Sequence, residues 1–427
     1  MKFNNTIRFI LLTLLASMYL FPIGFRGLPE ALNTKQILAV AGVVLFTLKV
    51  SGEKAARVPG HYIVSFLFAA VFSVWCYSCC IANGTSDYTY ATYFISYFVW
   101  VFGAVGTCGL IELGEKKVDL ATVTKYLTAA CIFQCVAVVL VDNSHAFASF
   151  VNTWFLQDTT PLRVNRLYGI GCSLDSGGVR MSCVLILIAH QICTDKKVLE
   201  NKRSLYLYIA SFLIISVIGN MIARTTSVGA ILGIIYFIVS YGYFRYGEVS
   251  GRQARAIGVG TLLIALAVVI VVVLYNISPD ARYQIRFAFE GFFSYFETGV
   301  FRTGSTDRLN SIMWVWPWDT AGWIRGYGLF EWSSWSHFMT DIGYCRFTLY
   351  CGLVGMTVFA LYFVYNSIVV ARWFKDAKFL AFLLAALTFF IWLKVSTDIF
   401  QIYALLFCLK STIDDPEPDA ESDLQLE

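Results

Sequence analysis

Charged side chains are scarce in this chain of 427 residues. Asp, Glu, Lys and Arg together make up 14% of it, whereas hydrophobic residues make up 58%. So few charged groups cannot cover the surface of a water-soluble protein of this size. Apolar runs near the roughly 20 residues that span a bilayer recur along nearly the whole chain. The composition therefore predicts an all-α fold, a polytopic bundle of transmembrane helices.

Cysteine is missing from the two segments where it would act outside a membrane. Nearly all twelve cysteines fall in apolar runs, and the two long segments 142–167 and 277–340 contain none. This distribution argues against a disulfide framework. The same segments have no aspartate pair and no His/Asp cluster at the spacing of metal ligands. We therefore expect no metal ion and no other cofactor.

Eleven or twelve apolar segments are candidate membrane spans. Within residues 379–409, Lys394 and Asp398 interrupt one long apolar stretch, which forms either a hairpin of two short helices or one kinked helix. We interpret it as the hairpin. The other predicted spans are residues 7–24, 36–50, 61–82, 89–111, 122–141, 168–193, 204–222, 226–244, 256–276 and 342–370.

The orientation follows from lysines and arginines in the short loops, which fall mainly on one side of this arrangement. By the positive-inside rule that side is the cytoplasm, and both termini then lie there. The first apolar run lacks a convincing cleavage site before Phe25, so we interpret it as a span. The acidic residues of 411–427 predict a disordered cytoplasmic tail. The net charge of +4 is spread over both sides and indicates no nucleic-acid partner.

Two external segments are long enough to contain a functional site. One, 142–167, connects two of the first nine spans, which occupy residues 1–276. The other, 277–340, precedes the last spans (341–410) and contains six of the eleven tryptophans. These tryptophans suit either an aromatic belt at the membrane interface or the stacking of sugar rings.

The larger external loop is predicted to contain amphipathic helices. Phenylalanines and an isoleucine at helical spacing predict one helix over 281–298, lying on the membrane surface. A second helix is predicted to start near Ser305 or Thr306, whose hydroxyl can cap it, and to end before Pro317.

Arginine, rather than lysine, is the common basic residue of the external segments. A guanidinium binds phosphate oxygens through planar, forked donors, whereas a lysine ammonium is a point charge. The pattern indicates an anion such as a diphosphate, although any single arginine can instead pair with an acid or a lipid headgroup. Arg224 lies in a very short turn, and we interpret it as an anion ligand at the mouth of a cavity. The set comprises Arg163, Arg166, Arg224, Arg282, Arg286, Arg302, Arg308 and Arg325.

Four charged residues lie inside predicted spans, where each costs roughly 2.5–3.5 kcal/mol at the bilayer centre. They are therefore expected to face the interior of the bundle. Lys394 and Asp398 are four residues apart, which predicts an ion pair on one helix face. Asp175 lies near three glycines, a setting that suits close helix packing or a ligand-lined gap. The fourth residue is Arg180.

Several short motifs, together with the hydropathy pattern of the whole chain, indicate a resemblance to a known family. The chain resembles the O-antigen polymerase and ligase superfamily of bacterial membrane glycosyltransferases, most closely its Wzy-type repeat-unit polymerases. Arg166 and Gly177 have a spacing associated with these polymerases. The ligases tend to carry a histidine where Asp341 stands, eleven residues before Gly352, and this favours a polymerase. The motifs, in order, are Arg166-Leu167-Tyr168-Gly169 with Asp175, Arg224-Thr225-Thr226, Gly304-Ser305-Thr306-Asp307-Arg308, Ile324-Arg325-Gly326-Tyr327-Gly328, Asp341-Ile342-Gly343-Tyr344 and Gly352-Leu353-Val354-Gly355.

The resemblance implies a metal-independent reaction at the periplasmic face of the bacterial inner membrane. A growing glycan moves from undecaprenyl diphosphate to a sugar hydroxyl of the next lipid-linked repeat unit, giving O-antigen or capsule. The expected partners are the donor and acceptor undecaprenyl-diphosphate-linked oligosaccharides and the membrane lipids. A chain-length regulator is a further candidate partner.

The resemblance also implies roles for particular residues. Arg224 and Arg308 would hold the donor diphosphate, and Asp341 would be the base, so these three form the predicted catalytic set. Asp341, beside Thr340, is also placed to cap a helix, and His337 is the alternative base. The predicted substrate-binding residues are Arg166, Arg302, Arg325, Asp175, His337, Trp332 and Tyr344.

Two other functions are compatible with the sequence. One is an O-antigen ligase, which transfers the finished glycan to a lipid A core or to another acceptor. The other is a transporter of a polysaccharide or another anion, with the charges inside the spans as its binding site. Transporters usually have short external loops and often repeated halves. The long loop at 277–340 therefore favours an enzyme.

Overall fold

The fold is an all-α bundle, as predicted. The computed structural model of the protein describes residues 5–29, 32–52, 58–115, 117–156, 166–240, 251–330 and 340–409. Of these residues, 78% are helical, and eight of their helices are long and apolar enough to cross a membrane. The protein is therefore a multi-pass membrane protein. The predicted tail, 411–427, lies outside these residues.

The described residues form eighteen helices and one two-stranded sheet. In chain order the elements are α1 (Asn5–Leu20), β1 (Gly24–Phe25), α2 (Thr34–Gly52), α3 (Gly60–Asn83), α4 (Tyr93–Gly114), α5 (Leu120–Asn143), α6 (His145–Trp154), β2 (Phe155–Leu156), α7 (Leu174–Thr194), α8 (Lys196–Glu200), α9 (Lys202–Ile222), α10 (Thr226–Ser240), α11 (Gly251–Ile277), α12 (Pro279–Ala288), α13 (Glu290–Thr298), α14 (Gly304–Ile312), α15 (Thr320–Arg325), α16 (Gly343–Trp373), α17 (Lys378–Ile391) and α18 (Phe400–Phe407). The strands pair antiparallel, Gly24 with Leu156 and Phe25 with Phe155.

Helix α7 forms the centre of the bundle, and α11 lies at its edge. In α7, 83% of the membrane-spanning window is buried within the protein, against 6% in α11. Helices α5, α9, α10 and α17 all pack against α7. The exposed aliphatic side chains of α11 suit a helix that faces lipid. The charged residues carried by α7 are therefore held in the protein interior.

Two helix breaks pack against each other near the end of the long loop. Helix α16 is interrupted at Gly352, with φ 65°, and Gly326 ends α15 with φ 74°. Beside the break, the carbonyl of Leu349 accepts the N–H of Tyr327 at 2.6 Å, and the carbonyl of Tyr350 accepts the N–H of Gly328 at 2.9 Å. The carbonyl of Cys351 accepts the indole N–H of Trp75 at 2.8 Å. Within a membrane such carbonyls need a partner from the protein. A Cβ at either glycine would collide with backbone of the other segment.

The predicted helix over 281–298 is wrong in one respect, because two helices, α12 and α13, take its place. They meet at Phe289, which is not helical. Side chains from the bundle bind the last carbonyls of α12: Asn220 donates to the carbonyl of Ala288 at 2.7 Å, and Arg224 donates to that of Phe287 at 3.2 Å. Carbonyls held in this way favour the end of a helix rather than its continuation.

The second predicted loop helix exists as α14, and it ends before Pro317 as predicted. The proposed cap at Ser305 or Thr306 is wrong. The hydroxyl of Thr303 instead accepts the N–H of Thr306 at 3.0 Å, which places the cap two residues before Ser305.

The hairpin predicted within 379–409 is confirmed as α17 and α18, with 14 and 8 residues. Both are shorter than the roughly 20 residues of a full span. The predicted Lys394–Asp398 ion pair is wrong, because residues 392–399 between these helices are not helical. Lys394 pairs with Asp175, Nζ to Oδ1 at 2.7 Å. Asp398 accepts the N–H of Phe400 at 2.8 Å and lies within electrostatic range of Lys35 and Arg180.

Candidate functional site

Arg224 is the centre of a site between the bundle and the loop helices. It lies in the turn between α9 and α10, and its side chain is only 14% exposed. Its guanidinium donates to the carbonyl of Phe287 at 3.2 Å and to the hydroxyl of Ser305 at 3.0 Å, and it forms an ion pair with Glu290. It also lies over the ring of Phe287, 4.5 Å from the centroid. One side chain thus joins the turn to α12, α13 and α14.

Glu290 is a site residue that the sequence analysis missed. Its second carboxylate oxygen accepts the backbone N–H of Gly304 at 2.9 Å, at the start of α14. It therefore links Arg224 to the first turn of the next helix. The sequence signal for Glu290 was its position, because it is the only acid between Asp280 and Glu297. Three arginines are near it: Arg282 and Arg286 precede it in the sequence, and Arg224 lines the same cavity.

Four arginines line a cavity of about 760 Å³ beside Arg224, which we call the arginine cavity. They are Arg166, Arg224, Arg282 and Arg286, and the two acids of the lining are Glu290 and Glu297. Arg286 pairs with Glu297 at 2.6 Å. The guanidinium of Arg282 donates to the carbonyl of Tyr275 at 2.9 Å. Four positive groups against two negative ones make this cavity suited to an anion.

One wall of the arginine cavity is apolar. It comprises Pro279, Tyr283, Phe287 and Phe293. Arg166 lies over the Phe287 ring at 5.6 Å and Arg286 over the Phe293 ring at 4.8 Å. Rings that cover guanidinium groups reduce their contact with water and strengthen their attraction to an anion. The same wall offers a surface for the apolar part of an amphipathic ligand.

The electrostatics of Arg224 reflect this crowding. Burial lowers the pKa of its guanidinium, Glu290 raises it, and the nearby Arg166 lowers it. The group remains positively charged, because arginine keeps its proton in proteins. An anion bound between Arg166 and Arg224 would relieve the repulsion between the two guanidinium groups.

A partly buried ion pair supports the turn that carries Arg224. Asp175, in the first turn of α7, pairs with Lys394 at 2.7 Å and accepts the hydroxyl of Thr225. Both charged side chains are 25% exposed. Leu174, just before Asp175, has φ 46°, a conformation that is uncommon for a branched side chain and often marks a functional site. The pair fixes Thr225 and hence the neighbouring Arg224.

A second cavity, of about 1060 Å³, adjoins the arginine cavity. We call it the polar cavity. It lies between α5, α6 and α12, and its lining includes Arg166 and Tyr283, which also line the arginine cavity. Arg166 therefore stands between two adjoining spaces.

The structure brings some predicted site residues together and separates others. Arg166 and Arg224 line the arginine cavity, and Asp175 contacts Thr225, next to Arg224. Arg302 pairs with Asp307 at 3.1 Å and is 64% exposed. Arg308 is exposed on α14, without a side-chain hydrogen bond or ion pair to the residues that the structure describes. Neither of these two arginines lines the arginine cavity.

Asp341 is separate from the arginine cavity as well. Its carboxylate lies 3.7 Å from Arg346, and its side chain is 53% exposed. The alternative role as a helix cap is wrong, because α16 begins after Ile342 without a side-chain cap. The hydroxyl of Thr340 accepts the N–H of Ile342 at 3.1 Å, so the neighbouring threonine satisfies that group.

The remaining predicted residues lie elsewhere. Arg325 is exposed at the end of α15, within electrostatic range of Cys79. The hydroxyl of Tyr344 donates to the carbonyl of Phe389 at 3.0 Å, and its ring packs against Trp392. Trp332 and His337 lie outside the described residues.

The arrangement offers forked cationic donors, a neighbouring carboxylate and an apolar wall in one cavity. Such a cavity can bind a diphosphate and place a carboxylate beside it. In the part of the chain that the structure describes, no three His, Cys, Asp or Glu residues are grouped as metal ligands. No protein-family model, no curated protein and no solved structure matches this chain.

Proposed function

We propose that this protein is a membrane glycosyltransferase that polymerises undecaprenyl-diphosphate-linked repeat units of an O-antigen or a capsule. The observation that carries the proposal is the arginine cavity, where four guanidinium groups and an aromatic wall meet. The guanidinium groups suit the diphosphate, and the aromatic wall suits the first part of the polyprenyl chain. The site would face the periplasm from the bacterial inner membrane.

In the proposed reaction, the bond between the anomeric carbon of the donor and a diphosphate oxygen breaks. A new bond forms between that carbon and a hydroxyl oxygen of the acceptor repeat unit. Arg224 and Arg166 hold the leaving diphosphate and stabilise the charge that develops on it. Arg282 and Arg286 hold its other oxygens.

Glu290 is the proposed acceptor of the hydroxyl proton. It lines the arginine cavity and contacts Arg224, whereas Asp341 pairs with Arg346 outside that lining. A donor diphosphate would replace the Glu290 carboxylate on Arg224. The carboxylate would then lie beside the reacting centre, free to accept the proton.

Transport of an anionic glycan is a second candidate, supported by the charges inside the bundle. Asp175 pairs with Lys394, and Asp398 lies near Lys35 and Arg180. Asp175 and Lys394 satisfy each other, and Asp175 also accepts the hydroxyl of Thr225. This pairing explains two of the charges without a substrate, and the arginine cavity favours the enzyme.

A glycan gel of the host strain tests the proposal. The gene is deleted and then restored as wild type or as Arg224→Lys at equal protein level. For a polymerase, deletion leaves single repeat units on their acceptor, and Arg224→Lys fails to restore the ladder. Long lipid-linked chains that accumulate outside would indicate a ligase. Repeat units held at the inner leaflet would indicate a transporter.

A further inference from the structure

The polar cavity differs in chemistry from the arginine cavity. Its lining includes the uncharged polar side chains of Ser149, Asn152, Tyr168 and Gln284. Such side chains both donate and accept hydrogen bonds, as sugar hydroxyls do, whereas guanidinium groups only donate. The lining also contains Arg26, Arg166 and Asp142, so the polar cavity combines a few charged groups with side chains suited to sugar hydroxyls.

Several polar groups of this lining have bonding capacity to spare. The side-chain oxygen of Gln284 is buried and has no hydrogen-bond partner among the described residues. The side chains of Asp142 and His145 line the same space and are exposed. A buried acceptor without a partner costs roughly 1–3 kcal/mol. Gln284 itself lines the cavity, so its amide group is placed beside a bound ligand.

The position of the polar cavity relates it to the arginine cavity. Arg166 and Tyr283 belong to both linings, so a ligand with an anionic part and a hydroxyl-rich part can occupy both spaces across Arg166. The volume of about 1060 Å³ is at the upper end of the usual range for ligand pockets, roughly 300–1,000 Å³. It accommodates a ligand larger than a single small group.

We propose that the polar cavity binds the sugars attached directly to the diphosphate of a lipid-linked glycan. The side chains of Gln284 and His145 each form a hydrogen bond with a sugar hydroxyl. The diphosphate of the same molecule lies on the far side of Arg166, in the arginine cavity. This inference rests on the proposed function, because it requires a diphosphate beside Arg224.

Binding measurements on the full-length protein in lipid nanodiscs test the inference. One probe is undecaprenyl diphosphate, which has no sugar. The other is the lipid-linked oligosaccharide extracted from the strain that lacks the gene. The variants are Gln284→Ala, His145→Ala and their combination. Asn143→Ala is the matched control, because Asn143 is exposed, lies next to α6 and lines neither cavity.

The combined variant is expected to raise the dissociation constant of the lipid-linked oligosaccharide about tenfold, since two hydrogen bonds are lost. Its affinity for undecaprenyl diphosphate is expected to stay within about twofold of wild type, as is that of Asn143→Ala for both probes. Arg224→Lys should weaken both probes. A thermal unfolding curve for each variant identifies any loss of folded protein.

Two results would overturn the inference while leaving the proposed function intact. In one, the combined variant binds both probes as wild type does, so the sugars lie elsewhere. In the other, it weakens both probes equally, so the polar cavity has no preference for sugars. If wild type binds neither probe, the proposed function itself is wrong, and the sugar site with it.

Discussion

The long segment between α11 and α16 contains two kinds of ion pair. In its later part, Arg302 pairs with Asp307 and Asp341 with Arg346, each pair five residues apart. In its earlier part, Glu290 pairs with Arg224, 66 residues away, in the turn between two membrane helices. In both short-range pairs the acid is about half-exposed, and such pairs contribute roughly 0–1 kcal/mol each. Arg346 itself is only 12% exposed. The long-range pair joins the loop to the bundle and lines a cavity.

This difference teaches that an arginine-rich loop does not identify its own functional arginines. Arg308 and Arg302 belong to the same predicted set as Arg224, which the sequence singles out only by its short turn. Of these three, only Arg224 is covered by an aromatic ring, contacts three loop helices and is largely buried. Burial is what makes a cation effective toward an anion, because the local dielectric constant is lower than that of water. Four predictions test whether the two parts differ in function as well.

The largest effect is expected for Glu290→Gln, which keeps the size of the side chain but removes its basicity. If Glu290 accepts the proton of the attacking hydroxyl, the rate of glycosyl transfer should fall by about 10²–10⁴-fold. The measurement is the initial rate with extracted lipid-linked repeat units and purified protein in nanodiscs. Glu297→Gln, a change in the same cavity lining, is the matched control. Equal rates for Glu290→Gln and wild type would remove Glu290 from the chemistry.

Arg224→Lys should have the next largest effect, because it keeps the charge and removes the forked donors. We expect the rate to fall by about 10²–10³-fold, as for the loss of a donor that stabilises a developing anion. The same assay measures it, with Arg282→Lys as the comparison inside the cavity. A rate within twofold of wild type would contradict the role of Arg224 as a diphosphate ligand.

Lys394→Met should destabilise the protein, because it leaves the Asp175 carboxylate without its cation. Both side chains are 25% exposed, so the expected loss is below the range for fully buried pairs, at about 2 kcal/mol. Thermal or denaturant unfolding in detergent measures it. The double variant Asp175→Asn, Lys394→Met should recover part of the loss. A double variant less stable than Lys394→Met alone would show that Asp175 has a further essential partner.

The smallest effects are expected in the later part of the loop. Arg308→Lys and Asp341→Asn should each leave the rate within about twofold of wild type. Arg308 is exposed outside the arginine cavity, and the half-exposed pair of Asp341 contributes little. These variants test the comparison directly, in the same assay as Arg224→Lys. A loss of about 10²-fold in either would extend the active site beyond the arginine cavity and restore the sequence-based assignment.

Part of the site could be predicted from local sequence. Arg224 stands out because a short turn between two apolar helices has no structural need for an arginine, and Asp175 because a charge in a span is costly. Glu290 is conspicuous only as the single acid between Asp280 and Glu297, and nothing near it in sequence identifies a partner 66 residues away. Asp341 was selected by its spacing from Gly352. That spacing describes only the residues in and just before α16, and it carries no information on the position of Arg224.

The fold was predictable to a similar extent. The apolar runs locate the helices of the bundle, and the hairpin within 379–409 follows from the charges that interrupt it. The ion pair proposed within that hairpin failed because it assumed a continuous helix through Lys394 and Asp398. The break of 281–298 at Phe289 could not be foreseen, because it depends on Asn220 and Arg224, which bind the carbonyls at the end of α12.

The sequence by itself determined that the protein is helical and crosses a membrane several times. The physical reason is local, because a chain in lipid must satisfy each backbone group within its own helix, and an apolar run of sufficient length suffices. Only the tertiary structure decided which charges meet. A helix brings together residues three or four apart, whereas the pairs Arg224–Glu290 and Asp175–Lys394 depend on how separate helices pack.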